Sequence, residues 1–572
     1  MNVMFERNVP CTMRDGVVLM ANIFRPADAG SYPVVMTRLP YGKDTPYLYY
    51  LDPVALAEAG YIVVVQDVRG RFASGGEVRL FDQEFQDGYD AIEWASKLPG
   101  STGEVGMFGA SYFGFTQLAA AASGHPALKT VAPGIVFDHP LEGLAFRGGA
   151  LEWGLGATWH LMLAPVELAR KAGREPDFPL RFYQLIQDID HLPEEHIWDL
   201  PLTDYAPLKR SGLLPQFFET ITRPLENTER LSIRPYYDKM TVSGLFTGGW
   251  FDIFTRSTLE AFQRFRAAGR PAQLVMGPWT HGNFGSTAGN LSFGFGANDM
   301  LLDLKEDRTT RHRRWYDATL KGMDNGMLEE PPIKLFMMGE NRWKSVYEWP
   351  LPETVYTPWY LHSDGRAQTV SGDGRLSQMV PDSEAADRYV YDPANPVLTR
   401  GGSTLLSPEY QSGPVDQAPV EERSDVLVYT SEALTAPLEV TGPVTAKLWV
   451  STSARDTDFV VRMADVHPDG RSYNVVDGII RMRYRHGMDH EALLEPGTVY
   501  PITVDLWDTS IVFLPGHRIR IQVTSSCFPR WNRNLNTGRS NEETADYVAA
   551  DQVLWHDREH PSHIILPVIP RL

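Results

Sequence analysis

Cysteine is scarce: only Cys11 and Cys527 occur among 572 residues, at opposite ends of the chain. Two cysteines build neither a disulfide framework nor a zinc ribbon. Two buried thiols in a reducing compartment are expected, with a single bridge left open. No stretch of 18 consecutive apolar residues occurs, which excludes a membrane-spanning helix. The opening residues, MNVMFERNVPCTMRDG, lack the basic and then apolar regions of a secretory signal, so a cytoplasmic location is expected. Positive charge is also in deficit, with 53 Lys and Arg against 72 Asp and Glu and a net charge of -19. That argues against nucleic acid and anionic membrane surfaces as partners. There is no internal repeat and no low-complexity segment. No metal and no cofactor is expected.

What remains is a globular composition, 43% hydrophobic and 22% charged, long enough for two to four domains. Aromatic residues reach 11%. They imply either large cores or an aromatic-lined pocket for an apolar substrate.

The first part of the chain alternates strand and helix. MRDGVVLMANIF turns at Asp15-Gly16, and YPVVMTRL is an apolar run. GYIVVVQDVRG at 60–70 has the continuous Ile/Val core of a strand buried on both faces. FQDGYDAIEWASKL carries apolar residues near helical spacing, GEVGMFGASYFGFTQLAAAA runs from strand into helix, and LKTVAPGIVF is the next strand. This order predicts an open, mostly parallel sheet over residues 1–138. Residues 139–240, rich in Leu, Trp and Pro, read as short helices and loops. They form either a cap over the carboxyl edge of the sheet or an independent helical subdomain. The α/β pattern resumes over 241–350. From 351 to 572 short alternating strands recur between Pro-Gly and Asp-Gly turns, which predicts an all-β sandwich or jelly roll.

The central chemical feature is Gly109-Ala110-Ser111-Tyr112-Phe113-Gly114, between an apolar strand and an Ala-rich helix. A nucleophilic serine needs a strained strand-to-helix turn that lifts its Oγ above the sheet, flanked by small residues. The second Gly sits one place later than in G-x-S-x-G, and a Ser here could instead cap the helix. Two further residues support the nucleophile. Asp252 follows the strand at 242–247 and His281 follows the strand at 272–276, in the order Ser, Asp, His that this architecture uses. Both lie where strand carboxyl ends feed Gly-containing loops. The Tyr112 amide is one expected oxyanion donor. The second is expected from the loop Arg38–Lys43, where Tyr41 offers a phenolic O–H or else is a packing aromatic.

With those residues assembled, the chain resembles the family of bacterial cocaine esterase, α-amino-acid ester hydrolases and X-Pro dipeptidyl aminopeptidases. The likeness is carried by MRDGVVL, PYGK, QDVRGRFASGG, GMFGASYFG, GGWFDIF, GPWTHG, DTDFVVRMADVHPDGRS and FLPGHRIRIQVTSSCFPRWNRNLNTG, and covers nearly the whole chain. It implies an α/β-hydrolase core with an inserted helical cap and a C-terminal all-β jelly roll. It implies the triad Ser111, Asp252 and His281, with Tyr41 and Tyr112 as the oxyanion hole. It implies a pocket between the three domains, lined by Trp159, Phe254, Leu405 and Leu406. The function expected is that of a serine carboxylesterase acting on small, partly aromatic acyl esters. The alternative is an aminopeptidase or amino-acid ester hydrolase, for which Asp138 is the one nearby carboxylate to hold a substrate ammonium. A sugar- or protein-binding role for the jelly roll is the reading from another class. The partner expected is a small ester or amide, and the sequence leaves room for a homo-oligomer.

Overall fold

The computed structural model of the chain describes residues 2–46, 49–139, 142–212, 231–406 and 409–571. Its N-terminal part is built on β1 (Val3–Thr12), β2 (Val18–Pro26), β3 (Tyr32–Leu39), β4 (Ile62–Asp67), β5 (Ser101–Ala110) and β6 (Leu128–Gly134). After an insertion it continues with β7 (Ser243–Phe251), β8 (Ala272–Thr280), β9 (Ile333–Met337) and β10 (Arg342–Val346). These form one ten-stranded sheet in the order β1-β2-β4-β3-β5-β6-β7-β8-β9-β10. The seven strands from β4 to β9 along this order run parallel, with antiparallel partners at either edge. All residues of β4, β7 and β8 are buried, because helices cover both faces and no position is left for polar alternation.

On one face lie α1 (Pro53–Glu58) and, much later in the chain, α8 (Arg308–Thr319), which share a cluster of Leu56, Ala57, Trp315 and Tyr316. On the other lie α2 (Glu84–Ser96), α3 (Tyr112–Ala122) and α7 (Thr255–Ala267), whose Ile92, Phe115, Leu118 and Phe262 join the main core. Gln117 ties α3 to the sheet. Its Nε2 donates to the carbonyls of Gly109 and Phe113, and its Oε1 accepts from the Ala132 amide at 2.8 Å. A buried amide is tolerated there because its polar atoms are paired.

Between β6 and β7 the chain forms α4 (Trp153–Ala172), α5 (Phe178–Asp190) and α6 (Ala206–Ser211), with Leu161, Leu168, Leu185 and Leu208 in a core of their own. The expectation of short helices fails for α4, which runs 20 residues straight through Pro165. Burial of its apolar face against α5 and α6 outweighs the hydrogen bond that the proline removes. Residues 213–230, within the predicted cap, lie outside those described.

Among the described residues, the remainder is an all-β domain of eleven strands. Two of them are longer than expected: Leu438–Thr452 has 15 residues and pairs with the 14 of Tyr500–Phe513. Gly442-Pro443 lies inside the first of them. In the structure it is a bulge, where the register shifts between Pro443 and Thr445 and pairing resumes. This domain docks on the insertion through buried polar contacts. Trp531 donates to Glu152 at 2.9 Å, and the Gly154 amide donates to the Arg530 carbonyl. Cys11 and Cys527 are both free and buried. Among the described residues, no helix is long and apolar enough to cross a membrane.

Candidate active site

Ser111 stands between β5 and α3 with φ 57 and ψ -124, a conformation that a residue with a side chain adopts only under constraint. Two glycines make the turn fit. Gly109 has φ 139, and a Cβ there would fall 2.2 Å from Phe113 Cδ2. A Cβ on Gly114 would meet the Gly134 carbonyl oxygen at 3.0 Å, since α3 crosses β6 at that point. The displaced second glycine therefore marks where helix and strand touch. Phe113, in the place G-x-S-x-G gives to glycine, turns its ring onto Tyr41 and Tyr50.

β7 and β8 bring the other two residues together. Their register pairs Phe251 with Thr280, so the next residue of each strand, Asp252 and His281, leaves the sheet side by side. A Cβ on Gly249 would lie 2.4 Å from the Trp279 carbonyl oxygen, which accounts for the glycine at this closest approach. His281 Nδ1 lies 2.7 Å from Asp252 Oδ2, and His281 Nε2 lies 2.9 Å from Ser111 Oγ. Asp252 is fully buried, and its Oδ1 accepts from the Phe254 amide at 2.7 Å. One carboxylate thus orients the imidazole while its other oxygen is fixed by backbone. Phe254 stands edge-on to the His281 ring at a centroid distance of 5.2 Å.

Tyr41 leaves β3 on a loop held at three points. The Arg71 guanidinium donates to the Pro40 carbonyl at 3.0 Å, and the Lys43 amide donates to Asp67 Oδ1 at 2.6 Å. The Tyr49 hydroxyl donates to the Lys43 carbonyl. Asp67 also accepts from the Ala73 amide, and burial pushes its carboxyl up to about 6 against these bonds. The Tyr41 hydroxyl accepts from Trp159 Nε1 at 3.1 Å, and burial pushes it up to about 12, which keeps it a protonated donor near neutrality. Tyr112 opens α3, so its amide is among the first-turn donors that have no partner within the helix. Its side chain points away: the hydroxyl donates to Glu84 Oε1 at 2.9 Å, and Glu84 in turn holds Arg38 at 2.8 Å, all three buried.

Ser111 and His281 open into a cavity of about 570 Å³ lined largely by apolar side chains. Trp159, Phe254 and Leu405 lie on its wall, as do Tyr41 and Tyr112. Leu406 does not. A Cβ on Gly154 would fall 1.9 Å from Leu406 Cδ2, so this leucine seals the cap against the β domain instead. Asp138 does not face the cavity either. It is fully buried, accepts from the Tyr237 hydroxyl at 3.0 Å and pairs with Arg234 and Arg264.

Several lining residues carry no signal in the sequence. Phe81 stacks on Trp159 at 5.7 Å and on Tyr112 at 4.7 Å, arriving from a turn ahead of α2. The Arg308 guanidinium lies 4.2 Å from the ring centroids of both Tyr50 and Phe284, and it is bonded to Asp299. Asp299 is the one carboxylate among the described lining residues, and it is already neutralised.

Fold and site together are those of a serine hydrolase with α/β-hydrolase architecture. The chain belongs to the family of cocaine esterase and the X-Pro dipeptidyl-peptidases. Residues 15–283 match the X-Pro dipeptidyl-peptidase (S15 family), and residues 325–565 match the X-Pro dipeptidyl-peptidase C-terminal non-catalytic domain. Cocaine esterase from Rhodococcus sp. (strain MB1 Bresler) is 37% identical over 582 residues, which cover 100% of this chain and 99% of the relative. Among solved structures, an α-amino acid ester hydrolase superposes with a TM-score of 0.81 at 26% identity, covering 99% of this chain and 96% of its own. An aminopeptidase from a marine sediment Thaumarchaeota archaeon superposes with a TM-score of 0.78 at 28% identity, covering 100% and 96%. The protein is an enzyme, a serine hydrolase acting on esters.

Proposed function

We propose that this enzyme is a carboxylesterase for small neutral esters with an apolar or aromatic acyl group, working through an acyl-enzyme on Ser111. The reading rests on the chain of hydrogen bonds from Ser111 Oγ through His281 to buried Asp252, opening into an apolar cavity. His281 Nε2 takes the Ser111 proton as Oγ attacks the ester carbonyl, then delivers it to the leaving alcohol. Asp252 keeps the proton of Nδ1 in place and stabilises the imidazolium. The Tyr112 amide and the Tyr41 hydroxyl donate to the oxyanion of the tetrahedral intermediate. Water then enters by the same route, with His281 as base, and releases the acid.

The cavity's electrostatics favour a neutral substrate. A substrate ammonium needs an unpaired carboxylate to offset its desolvation. Asp138 is locked to two arginines and Asp299 to a third. The likeness to cocaine esterase supports an aromatic acyl group.

The test is a panel of p-nitrophenyl esters, combined with labelling by a fluorophosphonate and peptide mapping. Turnover of neutral butyrate and benzoate esters, with the label on the Ser111 peptide, is expected. A label on another serine, with turnover surviving in Ser111→Ala, would overturn the assignment.

A further inference from the structure

A second cluster of reactive side chains lies in the β domain, outside the cavity at Ser111. Asp465 is near the end of the strand Asp458–Val466, and His467 follows two residues later. Residues two apart on a strand share one face. This strand pairs antiparallel with Arg518–Thr524, with Asp465 opposite Ile519 and Val466 opposite Arg518. One step further along that register, His467 stands opposite His517. The hairpin Pro468-Asp469-Gly470, closed by the His467 amide on the Arg471 carbonyl at 2.8 Å, and the turn Pro515-Gly516 end both strands there.

Directly opposed residues on antiparallel strands bring their Cβ atoms to about 5 Å, and a residue two away on the same face is the next neighbour. Two histidines and a carboxylate so placed offer three ligand atoms on one side of a common centre. The distances agree. His517 Nδ1 lies 2.8 Å from Asp465 Oδ1, and His467 Nε2 lies 3.4 Å from Asp465 Oδ2. One ligand atom from each residue falls within 4.8 Å of the others. In a tetrahedral zinc site, with bonds near 2.0–2.1 Å, neighbouring ligand atoms are about 3.3 Å apart.

The surroundings suit an ion. The Asp465 and His517 side chains are only 8% and 11% exposed, whereas that of His467 is 26% exposed and gives a path to solvent. The Tyr473 ring stands edge-on to His467 at 4.8 Å and limits its rotation. All three residues border a cavity of about 150 Å³ where the β domain meets β7, with room for a water as a fourth ligand.

We propose that Asp465, His467 and His517 form a binding site for one divalent transition-metal cation, with zinc the best match to a set of two imidazoles and one carboxylate. The site joins the hairpin to the neighbouring strand and lies apart from the ester-cleaving residues, so its ion stabilises the β domain.

The test uses the full-length chain, stripped with a chelator, mixed with zinc chloride and desalted, with metal content measured by mass spectrometry. About one zinc per chain is expected for the wild type and for His281→Ala, which controls for binding at the active site. His467→Ala and Asp465→Asn should each retain less than about a tenth of that, with unchanged circular dichroism. Zinc should raise the thermal midpoint of the wild type and not that of His467→Ala. No zinc retained by the wild type, equal retention by His467→Ala, or loss confined to His281→Ala would each overturn the site.

Discussion

Trp159 in the cap donates its indole N–H to the Tyr41 hydroxyl at 3.1 Å. That bond occupies a lone pair of the Tyr41 oxygen and leaves its proton free, since the hydroxyl has no acceptor among the described residues. A phenol held this way is prepared to donate to an oxyanion. Tyr41→Phe should therefore lower kcat by roughly 10²–10³-fold with little change in KM, because the oxyanion exists only in the tetrahedral intermediate and its flanking transition states. Trp159→Phe, which keeps an aromatic wall but frees Tyr41 to rotate, should lower kcat by a smaller factor, about tenfold. Steady-state kinetics on p-nitrophenyl butyrate check both. A silent Tyr41→Phe would make Tyr41 a packing residue.

The strained backbone of Ser111 gives a second test, in which activity and stability separate. Ser111→Ala should cost about 10⁴-fold or more in kcat while leaving the thermal midpoint near that of the wild type. Ser111→Gly should be equally inactive but more stable than Ser111→Ala by about 1 kcal/mol, because glycine adopts φ 57 without a Cβ penalty. Urea unfolding of the two inactive variants measures the difference. Equal midpoints would mean that the turn stores no strain.

Asp67 predicts a pH dependence of stability. Burial raises its carboxyl from 3.8 to about 6 in the folded protein. The folded state therefore holds a proton that the unfolded state has released, and this group's contribution falls as pH rises from about 4 to about 6. Asp67→Asn has no such titration. The stability of the wild type relative to Asp67→Asn should thus decline across that window, by something on the order of 3 kcal/mol. Urea midpoints of both proteins at pH 4 and pH 7 give the sign. A relative stability that rises with pH would mean that the Lys43 and Ala73 amides hold the carboxylate ionised throughout.

The parts of the site that were legible in the sequence are those where chemistry dictates residue type at a strand end. Ser111 after β5, Asp252 after β7 and His281 after β8 each follow an apolar run that predicts its own strand. The cavity wall was harder to read, because its residues come together only through folding. Tyr50, Phe81 and Phe284 arrive from three separate loops, and nothing local distinguishes them from core aromatics. Leu405 and Leu406 show the limit most plainly. They are chain neighbours with one composition, yet the first faces the cavity and the second fills the space left by Gly154. Periodicity in a loop decides neither. At Pro165 and Gly442-Pro443, long-range packing carries a helix and a strand through residues that locally signal an end.

The last prediction separates a neutral ester from an aminoacyl one. Compare p-nitrophenyl 3-phenylpropionate with the phenylalanine p-nitrophenyl ester, which differs by one α-ammonium. With no unpaired carboxylate among the described lining residues, the ammonium loses water and gains no counter-charge. The neutral ester should be favoured in kcat/KM by about tenfold or more. Asp138→Asn should leave that ratio unchanged. It should instead lower stability by a few kcal/mol, on the order of 3, because Arg234 and Arg264 lose their buried partner. Kinetics of both substrates on both proteins, with urea unfolding of each, resolve the two roles. A preference for the aminoacyl ester that disappears in Asp138→Asn would restore Asp138 as the ammonium ligand.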